Sequence, residues 1–264
     1  MRHNDRVRLV AALLMGAALA PAAVAQTLQV DGFESELCGW SDRSLDFLAT
    51  FGGNDGDPWP APWTVAGGVA TADLAGNRGR ILPVPSSYSL GRMKAAVATS
   101  DVEVAFTLVF EDQGSQGVGL YVRQNGGYLQ QTPTHGQGYA VFAEGFRGFP
   151  RLGLWKEQNG VESELYHLDL PVPFAFTNGA PYGVRFRVEQ QDAATTHLYG
   201  KVWALAGAEP AAWTVEGTDT TPVLQSISGG IAVDSWSSHT APTAITAHTL
   251  VDDVAVRGIC PHGP

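Results

Sequence analysis

Residues 102–110 read Val-Glu-Val-Ala-Phe-Thr-Leu-Val-Phe, and this stretch decides the fold class. Apolar side chains occupy Val102, Val104 and every second position up to Phe110. Successive side chains of a β-strand point to opposite faces, whereas an amphipathic helix needs apolar residues three and four positions apart. The stretch is therefore predicted to be a β-strand that turns one apolar face towards a core.

Eight further segments carry strand signals, at 118–123, 139–146, 152–157, 165–170, 183–189, 197–205, 229–234 and 249–256. Turn-forming residues separate them, and Asn159-Gly160 is typical of the tight turn of a hairpin because both of its residues accept a positive φ. Sustained helical spacing is missing after residue 25. Since parallel strands would need crossover helices, the pattern predicts an all-β fold, a two-sheet antiparallel jelly-roll β-sandwich with little helix.

The first 25 residues follow the order of an export signal. Arg2, Arg6 and Arg8 precede an apolar run at 9–20, and Ala23-Val24-Ala25 supplies small residues for cleavage. The apolar run is too short to span a bilayer, and no later stretch is apolar enough, so we expect no membrane span. The alternative, a buried N-terminal helix, leaves three arginines without a purpose. We predict a secreted protein, extracellular or periplasmic.

The remaining residues, 26–264, are predicted to form a single β-sandwich domain, because no repeat or linker divides them. The whole chain has 16 Lys and Arg against 26 Asp and Glu, a net charge of −10. Without residues 1–25 these counts fall to 13 and 25, a net charge of −12. Such acidity argues against nucleic acid or an anionic membrane surface as partner, and we expect a monomer.

Two cysteines, Cys38 and Cys260, lie near the two ends of the exported part. An even pair in an exported chain predicts a disulfide, with two free thiols or an intermolecular bridge as alternatives. A bridge closing so long a loop would contribute roughly 5 kcal/mol on a chain-entropy estimate. It also requires both chain ends to lie side by side.

The ends of the chain resemble calcium-containing carbohydrate-binding modules. The residues that carry this resemblance are Asp31-Gly32-Phe33-Glu34-Ser35 with Trp40, and the strand Val251-Asp252-Asp253-Val254-Ala255-Val256. The resemblance implies a structural calcium held by Glu34 and Asp253, with Asp31 and Asp252 as neighbours. Carboxylate oxygens are the ligands that calcium prefers. The alternative is that these carboxylates are simply solvated.

The middle of the chain is similar to the concanavalin A-like lectin and glucanase superfamily. The similarity rests on Trp59-Pro60-Ala61-Pro62-Trp63, 119–123, Gly138-Tyr139, Leu154-Trp155-Lys156 and Lys201-Val202-Trp203, followed by Glu209-Pro210 and Trp213. That superfamily contains binders and enzymes, so the resemblance implies a fold and leaves function open.

Several predicted strands carry aromatic and cationic residues that are expected on their non-core side. The predicted ligand-binding residues are Tyr121, Arg123, Tyr139, Trp155, Arg185, Arg187, Tyr199, Lys201 and Trp203. Sugar rings stack on aromatic faces and their hydroxyls suit charged hydrogen-bonding groups, so the set favours a glycan or polysaccharide partner. The alternative is that the rings fill the core and the charges pair across strands.

Catalytic motifs are missing. Glycoside hydrolysis needs two carboxylates across the scissile bond, and the pairs Glu34/Glu36 and Glu162/Glu164 lack the spacing of the superfamily's glucanases. We therefore predict a secreted, non-catalytic, polysaccharide-binding β-sandwich with no catalytic residues and no cofactor beyond the calcium. Two alternatives stay open: a hydrolase or lyase with a non-standard site, and a structural domain that recognises protein.

Overall fold

The computed structural model describes residues 46–129 and 135–259, and fifteen β-strands run through them. The strands are β1 (Phe47–Ala49), β2 (Thr64–Gly67), β3 (Val69–Ala75), β4 (Arg78–Pro83), β5 (Leu90–Thr99), β6 (Val102–Phe110), β7 (Gln116–Asn125), β8 (Gln137–Glu144), β9 (Arg151–Gln158), β10 (Val161–Asp169), β11 (Pro181–Asp192), β12 (Thr195–Ala204), β13 (Val215–Asp219), β14 (Gly229–Ser237) and β15 (Thr249–Gly258). A 3₁₀ turn, Pro222–Leu224, precedes β14. Within the described ranges, no helix has the length and apolar character needed to cross a membrane.

The strands form two antiparallel sheets, as the sequence predicts. Sheet A has the order β13-β12-β11-β6-β15-β4-β3, with β1 paired to β15 as an eighth strand. Sheet B has the order β10-β9-β8-β7-β14-β5-β2. Each of the nine segments predicted from the sequence overlaps a strand, and Asn159 and Gly160 adopt φ values of 53° and 76° in the β9–β10 hairpin.

The core lies between the two sheets and is formed by every second side chain of their strands. Val104, Phe106 and Leu108 of sheet A pack in one apolar cluster with Leu120 and Val122 of sheet B. All nine residues of β6 are buried, so both faces of this strand are covered, whereas the sequence predicted one buried face. β6 is a central strand, and the outer side of sheet A is covered by side chains of its neighbours, including Arg185 and Trp203.

The two ends of the described chain lie together. β1 pairs with the second half of β15, from Val254 to Val256, while β4 pairs with the first half, from Thr249 to Val251. The change of partner strand, from β4 to β1, occurs at a bulge where Asp253 has a φ of 49°. Cys38, Cys260 and the predicted signal sequence lie outside the described residues, so the disulfide and the export signal remain predictions.

Candidate functional site

A row of residues with an aromatic ring between two glycines crosses the outer face of sheet B. The cross-strand register places Asp234, Gly119, Phe142 and Gly153 side by side on β14, β7, β8 and β9. A Cβ at Gly119 would come within 2.3 Å of the Phe142 ring. The glycine therefore leaves room for the outer end of that ring over the neighbouring strand.

Trp155 continues this surface in the next row. A Cβ at Gly153 would lie 2.7 Å from the Trp155 Nε1, so the indole also rests over a glycine. The Phe142 and Trp155 ring centroids are 5.7 Å apart, and Phe142 is 6.1 Å from the ring of Tyr121. Glycines on the outer face thus make room for an aromatic floor.

A pocket of about 280 Å³ opens above this floor. Its lining is mainly aromatic, with two carboxylates and one guanidinium, and consists of Tyr88, Gly117, Phe142, Glu144, Phe146, Arg147, Trp155, Glu162 and Trp236. The volume is close to the lower end of the range for small-molecule sites, about 300 Å³. The pocket therefore suits a ligand of the size of one or two small rings.

One wall of the pocket comes from the loop after β8. Phe146 stacks against Trp236 of β14 with ring centroids 4.0 Å apart, and the Arg147 guanidinium lies 4.8 Å from the Phe146 centroid. Arg147 donates to both carboxylate oxygens of Glu144, at 3.3 Å from Nε and 3.1 Å from Nη2. Burial raises the pKa of Glu144, and the ion pair with Arg147 opposes that rise.

A buried charge cluster lies beside the floor, on the same face of the sheet. Arg92 of β5 donates from Nε and Nη2 to the two oxygens of Asp234, each at 2.7 Å. Its Nη1 donates to Glu157 Oε2 at 2.7 Å and to the carbonyl of Gly127 at 3.3 Å. The side chains of Arg92, Asp234 and Glu157 are fully buried, which is costly for charges unless they are paired.

Glu162 of β10 links this charge cluster to the pocket. Its Oε1 accepts from the Tyr121 hydroxyl at 2.6 Å and lies 3.5 Å from Arg92 Nη2, while its Oε2 accepts from the Tyr88 hydroxyl. The Arg92 guanidinium lies 4.6 Å from the Tyr121 ring centroid. Burial raises the pKa of both tyrosine hydroxyls, so they stay protonated and donate to Glu162.

Three carboxylates share the single guanidinium of Arg92. Burial raises the pKa of Asp234 to about 7, with Arg92 opposing the shift and Glu162 and Glu157 adding to it. Burial also raises the pKa of Glu157, whose Oε1 is buried and has no hydrogen-bond partner among the described residues. The face thus combines aromatic surface with carboxylates that accept hydrogen bonds.

Three solved structures have a similar arrangement of strands. The carbohydrate-binding module CBM66 from Bacillus subtilis matches with a TM-score of 0.51 and 13% identity, over 74% of this chain and 95% of that one. A legume lectin-like domain from Entamoeba histolytica matches with a TM-score of 0.51 and 9% identity, over 75% and 90%. An alginate lyase, Aly36B, solved with an alginate trisaccharide, matches with a TM-score of 0.51 and 9% identity, over 81% and 98%.

The chain has the concanavalin A-like jelly-roll fold. None of the known protein-family models matches the chain, and none of the curated proteins is significantly similar to it. At identities this low, the structural likeness establishes the fold and leaves the chemistry to the side chains.

The jelly roll divides the predicted ligand-binding residues between opposite faces. Tyr121 and Trp155 lie on the outer face of sheet B, where the charge cluster and the pocket are. Five others, Arg185, Arg187, Tyr199, Lys201 and Trp203, are on β11 and β12 and alternate with core residues, which puts them on the outer face of sheet A. The predicted set therefore does not converge on one groove.

The cations on the outer face of sheet A are already paired. Arg185 binds both Glu103 and Glu209, at 2.8 and 2.7 Å. Arg187 also binds Glu103, and Lys201 also binds Glu209, each at 2.8 Å. These contacts correspond to the alternative in which charges pair across strands, and they stabilise the sheet without a ligand.

Arg123 and Tyr139 do not lie on an outer face either. Arg123 has a φ of 53° at a bulge in β7, which turns its side chain away from Tyr121 and towards Asp101, to which Nη2 donates at 2.8 Å. Tyr139 lies in the core between the sheets, and its hydroxyl donates to Asp219 at 2.9 Å. Placing Tyr139 with the outer-face residues was wrong, because β8 directs it inward.

The predicted calcium ligands are only partly described. Asp31 and Glu34 lie outside the described residues, so the calcium site stays a prediction. Asp252 accepts from the backbone N–H groups of Phe51, at 3.4 Å, and Asp253, at 2.9 Å. Between residues 46 and 129 and between 135 and 259, no group of three or more His, Cys, Asp and Glu side chains is placed to hold a metal ion.

Most of the pocket was missed by sequence reasoning, including Phe142, Glu144, Phe146 and Trp236. Glu162 was considered only as half of a catalytic pair and set aside. One signal was available: Arg92 and Asp234 interrupt apolar strands at positions that face away from the core.

Proposed function

We propose that the chain binds carbohydrate in the pocket on the outer face of sheet B. The observation that carries the proposal is the combination of the aromatic floor formed by Phe142 and Trp155, whose rings are inclined by 59°, with the carboxylates of Glu144 and Glu162 at the same cavity. The CH faces of a sugar ring stack on aromatic rings, and its hydroxyls donate to carboxylate oxygens.

The solved structures of similar fold support this proposal at the level of class. Two of them carry the descriptions carbohydrate-binding module and legume lectin-like domain, and the third is a lyase solved with an alginate trisaccharide. Carbohydrate is the ligand class named or implied by these descriptions. The pocket of this chain provides groups of its own that suit that class.

The spacing of the two pocket carboxylates favours binding over hydrolysis by this pair. Glu144 is opposite Arg151 on β9, while Glu162 is opposite Glu157, six positions further along that strand. Six residues of strand span about 20 Å, whereas the carboxyl groups of glycosidases are about 5–9.5 Å apart. Even with both side chains extended towards each other, the two carboxyl groups stay too far apart to act together.

The test is a glycan array probed with the protein and with two tryptophan variants. We expect Trp155→Ala to abolish binding because it removes half of the aromatic floor. Trp213→Ala is the matched control, since Trp213 lies on the outer face of sheet A, 4.8 Å below the Lys201 Nζ. Loss of binding in the control alone, or no glycan bound at all, would refute the proposal. Product analysis on each bound polysaccharide tests the enzymatic alternative.

A further inference from the structure

The groups around the aromatic pocket carry more negative than positive charge. Glu144 and Glu162 line the cavity, and Glu157 and Asp234 lie in the buried cluster to which Glu162 belongs. Among the described residues these four carboxylates form ion pairs with two guanidiniums, those of Arg92 and Arg147, and the carboxylates stay in excess even with Asp234 about half protonated near pH 7. The charges that surround the pocket therefore favour a positive group inside it.

Neither guanidinium offers an uncompensated positive charge to an anionic ligand. Arg92 is fully buried and shared among three carboxylates, and it is not part of the pocket lining. Arg147 is held by both oxygens of Glu144 and lies over the ring of Phe146. A carboxylate on a sugar entering the pocket would face Glu144 and Glu162 without an unpaired cation.

The negative charge is held in place by the surrounding hydrogen bonds. Both oxygens of Glu162 accept from tyrosine hydroxyls, Tyr88 and Tyr121, which fixes the orientation of the carboxylate. The Glu162 side chain is 6% exposed, and charge interactions in such a poorly solvated place are weakly screened by salt.

We infer that this pocket selects sugars that carry a protonated amine and rejects uronic acids. The inference rests on the proposed function and narrows its ligand class to amino sugars. An ammonium group near Glu162 gains a charge-assisted interaction that a hydroxyl lacks, and a uronate meets repulsion instead. We expect an amino sugar to bind about tenfold more tightly than the neutral sugar of the same configuration.

The experiment compares disaccharides of glucosamine, glucose and glucuronic acid with one linkage, together with an array of neutral, amine-bearing and uronate glycans. Titration calorimetry and the array should both rank amine above neutral above uronate. The preference should change little when salt is raised, because the Glu162 side chain is poorly solvated. Trp155→Ala should remove all binding, which separates the pocket from general attraction to an acidic protein because that variant keeps the net charge.

Two charge variants test whether Glu162 produces the preference for amino sugars. Glu162→Gln keeps acceptor and donor atoms at that position and should lower the affinity for the amino sugar by a larger factor than the affinity for the neutral sugar. Glu216→Gln removes the same charge from an exposed position on β13 and should change nothing. A circular-dichroism spectrum identical to that of the parent chain confirms that each variant is folded.

The outcomes separate the two claims. Uronates that bind as tightly as amino sugars, or amino sugars with no advantage over neutral ones, would overturn the inference while leaving glycan binding intact. Absence of any binding that depends on Trp155 would remove the proposed function, and the inference with it.

Discussion

Arg92 and Asp234 form a two-pronged ion pair in which Nε and Nη2 each lie 2.7 Å from a different carboxylate oxygen. Both side chains are fully buried. Breaking a buried pair leaves the other charge without compensation, which costs about 3–5 kcal/mol. We therefore expect Arg92→Leu to lower the free energy of unfolding by that amount in urea titrations.

Arg80 and Asp73 provide the control for this prediction. Arg80 makes the same two-pronged contact, at 2.8 and 2.7 Å, but the two side chains are 29% and 17% exposed. Pairs open to solvent contribute about 0–1 kcal/mol. Equal losses in Arg80→Leu and Arg92→Leu would show that burial does not set the energetic importance of the Arg92 cluster.

The stability of the protein is expected to fall as the pH rises from about 4 to about 7. Asp234 has a pKa raised from 3.8 to about 7 in the folded protein, so the folded state keeps a proton that the unfolded state has already lost. Its stabilising contribution is complete below the unfolded pKa and is lost as pH rises through the folded pKa. Burial raises the pKa of Glu157 as well, which acts in the same direction.

The measurement is the melting temperature across this pH range in the parent chain and in Asp234→Asn. The variant has no proton to lose at this position. Its melting temperature should therefore change less with pH than that of the parent chain, whatever the stability of the variant at any one pH. Identical slopes would mean that Asp234 does not take up a proton on folding. Below about pH 4 the opposite trend is expected from Asp73, whose pKa is lowered by its hydrogen bonds from Arg80.

Two glycines of β7 should differ in their tolerance of a methyl group. Gly119→Ala would place a Cβ 2.3 Å from the Phe142 ring and displace it, at a cost of about 1–3 kcal/mol. At Gly117 the nearest atom to such a Cβ is 3.5 Å away, an ordinary contact, so Gly117→Ala should be nearly neutral. Thermal unfolding distinguishes the two, and a neutral Gly119→Ala would contradict the proposed support of the aromatic floor.

The cationic face of sheet A is predicted to be dispensable for binding. Arg187→Gln removes an ion pair with Glu103 and a contact with Trp213, so we expect a stability loss of about 1 kcal/mol. Glycan affinity measured by calorimetry should stay unchanged. A large loss of affinity in this folded variant would restore the ligand-binding role that the sequence suggested for Arg187.

The disulfide between Cys38 and Cys260 remains a prediction, and it can be tested directly. Asp46 donates its backbone N–H to Val256 at 3.0 Å, so the described ends of the chain already lie next to each other, as a Cys38–Cys260 bridge requires. Titration of the exported form, denatured without reductant, should detect no free thiol. Two thiols per chain would rule out the bridge.

Strand content was readable from sequence because each strand repeats a local pattern. Val102, Val104 and Phe106 alternate with residues of the opposite face, and Asn159-Gly160 marks a tight turn by its backbone preference. The position of Arg123 was not readable, since a bulge with a positive φ reversed the side that alternation predicts. Tyr139 was assigned to the wrong side, because its strand directs it into the core.

The sequence by itself determined the all-β class, the antiparallel pairing by hairpins and most of the core, because these depend on the spacing of neighbouring residues. The tertiary structure alone decided the pocket. Arg92 and Asp234 are 142 positions apart in the chain, and only the order and register of the sheet B strands bring them together with Glu157 and Glu162. Register is a property of paired strands, so no single stretch of sequence contains it.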